Sequence, residues 1–287
     1  MISQKHTFTK ISKAVPPQLW FSISAIFHYL GPSFAVLLFP AIGVLGVAWF
    51  RVATAAILFA PFTHPLKTLQ LADRKTRWFL LSLGFCLAVM NVSFYLALDR
   101  LPMSLVAAME FVGTIAVALY GLRTKRNVIA LCLVIIGVVI LIDIKWLADL
   151  IGLFWAGLNA LLFTGYIVLG HKAAEGGASA GIERLGAAMM IAFILLLPVG
   201  FYEAAKVFGS LYLVLAGIAV GICSSVIPYI CDQLSMSQLP RESFALLLAL
   251  LPTTATIVAA VVLSQIPTGQ DLCGIALVMV GIAVHKT

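Results

Sequence analysis

Residues 91–117 read NVSFYLALDRLPMSLVAAMEFVGTIAV, and residues 229–255 read YICDQLSMSQLPRESFALLLALLPTTA. A shift of 138 positions lays the first stretch on the second. Leu96 then falls on Leu234, Leu101-Pro102 on Leu239-Pro240, and Ala107 on Ala245. Asn91 coincides with Tyr229. Both copies run as an apolar stretch, a short Leu-Pro turn and a second apolar stretch. The identities are few, and weak internal symmetry of this kind is what membrane-transporter repeats retain.

The rest of the chain fits that frame. It has 287 residues, of which 62% are hydrophobic and 10% charged, and its mean hydropathy is +1.11. A soluble domain carries about 25% charged residues, and a soluble core of this length could not absorb so much apolar surface. Lipid is therefore the expected solvent. Runs of the length a helix needs to cross a bilayer recur ten times, at 17–38, 41–63, 77–98, 102–122, 127–145, 150–170, 180–202, 209–231, 241–263 and 268–285. The expected fold is all-α and integral to the membrane, with ten transmembrane helices. Residues 1–16 form a polar, basic N-terminal tail, 17–145 a first five-helix repeat and 150–285 a second. No small-residue cleavage site follows a short apolar stretch, so the first span reads as a retained anchor. Five is odd, so the second repeat inserts upside down relative to the first. Inverted halves suit alternating access about a site near the midplane.

The formal net charge of +7 follows topology better than it suggests nucleic acid. With the N-terminus in the cytoplasm, fourteen Lys and Arg fall on the inner side and only Arg100, Lys145 and Lys206 on the outer. That is a positive-inside bias, and it places both termini in the cytoplasm. The five cysteines all lie in apolar stretches without metal-ligand spacing, and read as small buried hydrophobes. No metal or cofactor is expected, and the partners are the bilayer and a small-molecule substrate.

Candidate functional residues are polar groups inside the spans, because a charge in hydrocarbon costs at least ~2.5–3.5 kcal/mol and usually faces a partner or water. Glu110 lies in the fourth span, on a face shared with Gly113 and Thr114. It could meet a cationic amine or a proton, or pair structurally with Arg51 of the second span. Arg51 could hold a substrate carboxylate, but neutralising Glu110 is the favoured role. Asn91 and Tyr95 share one face of the third span, and Trp155, Asn159 and Tyr166 one face of the sixth. Ser225, Tyr229 and Asp232 share a face of the eighth. Such residues bind solutes or simply join helices. Asp232, Arg241 and Glu242 read as solvated helix ends. His28, one turn after Ser24, is a candidate relay, Pro252 a candidate hinge, and Gly217 with Gly221 a packing motif.

Several blocks carry a family resemblance. They are Phe39-Pro40 to Gly43, Gly46-Val47 and Arg51; Met90-Asn91, Phe94-Tyr95-Leu96 and Leu101-Pro102; and Val106 to Gly113 with Ala116 to Leu119. In the second half they are Phe163, Tyr166, Ile227-Pro228-Tyr229 and Leu239-Pro240-Arg241. From about residue 20 to 283 the chain resembles the drug/metabolite transporter superfamily, EamA type, and within it the threonine and homoserine exporter group. The resemblance implies ten helices in two inverted halves. It also implies a central cavity lined by spans 1, 3, 4, 6, 8 and 9, and export of small amino acids or related metabolites driven by protons. Three positions depart from the family pattern: Ser264-Gln265 stands for Gly-Glu, Leu251-Pro252 for Glu-Pro, and Gly113-Thr114 for Gly-Pro. On this reading Glu110 is the only acid deep in the membrane.

The expected function is export of amino acids or related small metabolites across a bacterial inner membrane. Glu110 would meet the amine or a proton. Asn91, Asn159 and Tyr229 would hydrogen-bond the substrate, and Tyr95, Tyr166 and Trp155 would wall the cavity. A multidrug or organic-cation carrier is the rival, since it too needs a carboxylate among aromatic rings. An enzyme is disfavoured, because HExxH and paired intramembrane acids are missing, and a channel remains as a further class.

Overall fold

The computed structural model describes residues 15–110, 124–141, 149–239, 244, 247 and 250–284. Every regular element among them is helical. In chain order these are α1 (Pro17–Ile42), α2 (Val44–Thr63), the short α3 (Pro65–Leu71), α4 (Arg74–Leu98) and the helical stretch α5 (103–110). Then come α6 (Lys125–Leu141), α7 (Leu150–Ala174), α8 (Ala178–Ala205) and α9 (Leu211–Gly221). A single π-helical turn (Ile222–Val226) continues into α10 (Ile227–Met236), and α11 (Leu250–Leu263) and α12 (Gly269–Val284) follow.

Six helices among the described residues are long and apolar enough to cross a membrane: α1, α2, α4, α7, α8 and the continuous run Leu211–Met236. They coincide with the expected spans one, two, three, six, seven and eight. The remaining expected spans correspond to α5, α6, α11 and α12, which are shorter as described. Gly113 and Thr114, Arg241 and Glu242 lie outside the described residues.

Breaks between helices have local causes. Gly43 takes φ 87°, a conformation L side chains avoid, and a Cβ there would collide with the Glu203 carboxylate. Glu203 in turn accepts the Gly46 N–H at 2.9 Å in the first turn of α2, where a helix start favours negative charge. At the other end of α2, His64 is left-handed and Pro65 opens α3. Asp73 caps α4 by accepting the Thr76 N–H. The hydroxyl and amide of Thr76 hold that carboxyl below its ordinary range. Asp149 caps α7 through the Gly152 N–H and lies 3.4 Å from Arg100 in the Leu-Pro turn.

Without water to drive apolar helices together, close packing requires small residues at the contacts. Gly217 and Gly221 press on Phe50 and Thr54 of α2, as their spacing suggested, and Gly137 of α6 meets Gly274 of α12. The principal pairs are α2 with α8, α6 with α12, α4 with α7 and α8, and α1 with α10, the π turn and α11. Cys86 and Cys231 are buried and Cys223 is half-buried, whereas Cys132 and Cys273 are exposed on the bundle surface. The expectation that all five are buried therefore fails for the last two.

Candidate functional site

The π turn sets the geometry of the centre. Pro228 has no amide hydrogen, so the carbonyl four residues back, that of Ser224, lacks its helical donor. Arg51 supplies one: its Nη2 donates to Ser224 O at 2.9 Å, and its Nε donates to Ser225 Oγ at 2.9 Å. Gly31 of α1 lies so close to Ser224 that a Cβ would meet its backbone nitrogen at 2.6 Å. Tyr95 and Phe94 carry the guanidinium on their ring faces, with centroids at 5.2 and 5.7 Å. Arg51 is thus buried, and of its three nitrogens only Nη1 lacks a hydrogen-bond partner among the described residues.

Glu110 is also buried. Its Oε1 accepts from Asn159 Nδ2 at 2.8 Å and its Oε2 from the Tyr29 hydroxyl at 3.2 Å. Glu110 and Arg51 line one cavity together with His28, Met90, Asn91, Phe94, Asn159 and Phe163. About 10 Å³ of it is open to the centre of a water-sized sphere, room for about one water. The acid therefore stands among polar groups rather than aliphatic ones, and the central cavity that the resemblance implies holds little open space here. Asn91 Nδ2 donates to Leu87 O and to the Tyr229 hydroxyl, the latter at 3.3 Å. The side-chain oxygens of both Asn91 and Asn159 have no partner among the described residues.

A second small cavity adjoins the first, with His28 and Phe163 as shared walls. Its polar residues are Ser24, Tyr166 and Asp232, and Phe21, Phe244 and Leu251 help close it. Asp232 is 7% exposed, so its reading as a solvated helix end is wrong, and Glu110 is not the only buried acid. The Ser24 hydroxyl donates to Asp232 Oδ1 at 2.5 Å and the Tyr166 hydroxyl to Oδ2 at 3.0 Å. Sequence placed Asp232 on one face with Ser225 and Tyr229, a signal that pointed inward.

Of the residues singled out from sequence, Glu110, Asn91, Asn159, Arg51 and His28 meet at the first cavity, and Tyr166 lies at the second. The Tyr229 ring lies tilted against that of Tyr166, centroids 5.5 Å apart, and its hydroxyl accepts from Asn91. Tyr95 supports Arg51 from behind and lines neither cavity. Trp155 is half-buried against Phe154 and also lines neither. The second helix, not expected to line the cavity, contributes Arg51. The Pro252 carbonyl in α11 accepts from the Thr256 hydroxyl. Tyr29 escaped notice because its only distinction in sequence is to follow His28. Two larger open grooves, of about 360 and 380 Å³, lie at helix ends and are lined by none of the residues of either small cavity.

Comparison with known proteins agrees with this picture. The EamA-like transporter family model matches residues 150–285. Threonine/homoserine exporter RhtA of Salmonella typhimurium strain SL1344 is 29% identical over 252 residues, covering 87% of this chain and 84% of that protein. RhtA of Escherichia coli strain K12 is 29% identical over 253 residues with the same coverage. A solved crystal structure with 18% identity superposes with a TM-score of 0.62, covering 92% of this chain and 95% of the other, and shows the fold. With six helices among the described residues long and apolar enough to cross a membrane, the chain is a multi-pass membrane protein whose second half matches the EamA-like transporter family model and which is similar over most of its length to threonine/homoserine exporters.

Proposed function

We propose that the protein is a secondary carrier, not an enzyme, that exports small amino acids of the threonine and homoserine kind, or related metabolites, across the inner membrane, coupled to protons. One observation carries this reading. A carboxylate and a guanidinium line the same small cavity with two amide oxygens that have no partner among the described residues. A zwitterion needs that set: Glu110 with the Asn91 and Asn159 oxygens for its ammonium, and Arg51 Nη1 for its carboxylate. Arg51 therefore serves twice, held in place by Ser224 and Ser225 and presenting one nitrogen to substrate. Tyr229 orients Asn91. The cavity as it stands admits a water, so binding requires the surrounding helices to part.

Ten spans in two inverted halves, with both termini cytoplasmic, complete the reading. Its support is the packing of presumed counterparts on each other, the second span on the seventh and the fifth on the tenth, together with the Asn91–Tyr229 hydrogen bond between repeat-related positions. Phe94 and Phe163 beside Glu110 would suit an organic cation, but the fixed charge of Arg51 in the same cavity opposes one.

Everted vesicles test the function. A proton gradient should drive uptake of threonine or homoserine, and Glu110→Gln should abolish it. Absence of gradient-driven uptake for every amino acid tried, beside an active control exporter, overturns the proposal. Uptake of a quaternary amine in place of amino acids transfers support to the rival.

A further inference from the structure

Asp232 is a buried acid for which substrate binding gives no task. It lies one turn before Met236, the last residue of α10, where the Ser235 hydroxyl donates to Pro17 O at the start of α1. Its cavity occupies the space between that end of the bundle and the Glu110 cavity, and His28 and Phe163 form the partition. Among the described residues, the titratable groups facing it are His28 from α1, Tyr166 from α7, and Tyr229 and Cys231 from its own helix. Among the described residues, no Lys or Arg lines this cavity.

Its two hydrogen-bond partners are both hydroxyls. A hydroxyl can donate to a carboxylate and, after turning, accept from a carboxylic acid. Ser24 and Tyr166 therefore satisfy Asp232 in either protonation state, and gaining or losing a proton strands no buried polar atom. A buried carboxylate with no cation beside it among the described residues is costly, so the site is built for a charge that comes and goes.

We propose that Asp232 is the proton-carrying group of the transport cycle, standing in series with Glu110 across the His28–Phe163 partition. This rests on the carrier reading above and names its coupling residue. One proton binds a carboxylate oxygen from one side of the membrane and leaves to the other, with no bond among heavier atoms changing. Glu110 and Arg51 are left to the substrate.

Purified protein in proteoliposomes separates the two roles. Exchange of labelled threonine without a gradient reads substrate handling, and uptake driven by an imposed pH gradient reads coupling. Asp232→Asn keeps the shape and both hydroxyl contacts; it should retain exchange within about twofold while gradient-driven uptake falls about tenfold or more. Gradient-driven uptake kept at the wild-type level, or exchange lost to the same degree, overturns the proposal. If this variant does not elute like the wild type, Tyr166→Phe decides by the same criterion. Wild-type protein that exchanges amino acids but ignores the gradient refutes this proposal together with the proton coupling of the reading above, and leaves only its amino-acid carriage standing. Wild-type protein that does neither refutes the carrier reading itself.

Discussion

The two buried acids lie on either side of one partition but are held differently. Glu110 is gripped by an amide nitrogen and a phenol, across a cavity from a guanidinium. Asp232 is gripped by two hydroxyls, with no basic side chain except His28 lining its cavity among the described residues. The first arrangement fixes a charge pattern that a zwitterion can match. The second fixes no charge at all. Burial alone does not define a role; the kind of hydrogen-bond partner does.

The largest expected effect comes from breaking the first arrangement. Glu110→Gln should lower amino-acid uptake by about 100-fold or more, since it removes one charge from a buried, hydrogen-bonded set. Uptake within threefold of wild type would make the two acids equivalent and defeat the contrast. Next is Arg51→Met, which removes the side-chain donor to the Ser224 carbonyl. It should cost about 3 kcal/mol and lower the thermal unfolding midpoint in detergent. Arg51→Lys should rescue only part of this, because an ammonium cannot reproduce the two-pronged contact. Gly31→Ala drives a methyl into the π turn and should cost about 1–3 kcal/mol, read in the same melts. Tyr229→Phe removes a single hydrogen bond between helices and should cost about 0.6 kcal/mol. The smallest effect is expected of Trp155→Ala, whose half-saturating substrate concentration should move less than about twofold, since truncation matters most for residues buried at a contact.

Much of this was legible in the sequence because lipid imposes strict rules. Apolar runs located the six long helices to within a few residues, and helical spacing put Asn91, Asn159 and Glu110 on inward faces. Legibility failed where the answer depended on neighbours distant in sequence. Asp232 read as a helix end because its partners, Ser24 and Tyr166, lie on other helices. Tyr29 had no signal of its own. Trp155 shares a face with Asn159, but one turn away that face has left the cavity. Pro228 is plain in the sequence, but only the position of Arg51 shows what its missing hydrogen does.

The tie between Glu203 and the start of α2 has a further consequence. That carboxylate clamps α8 to α2 at one end, and a Cβ at Gly200 would meet the Leu45 carbonyl oxygen, so no slack remains between the two helices. If they are the second and seventh spans, each belongs to a different half of the gene product, but mechanically they are one beam. Opening the centre then cannot be a clean parting of front half from back half. Space for a substrate would then have to come from movement of the helices that carry Glu110 and Asp232, with α2 and α8 staying together.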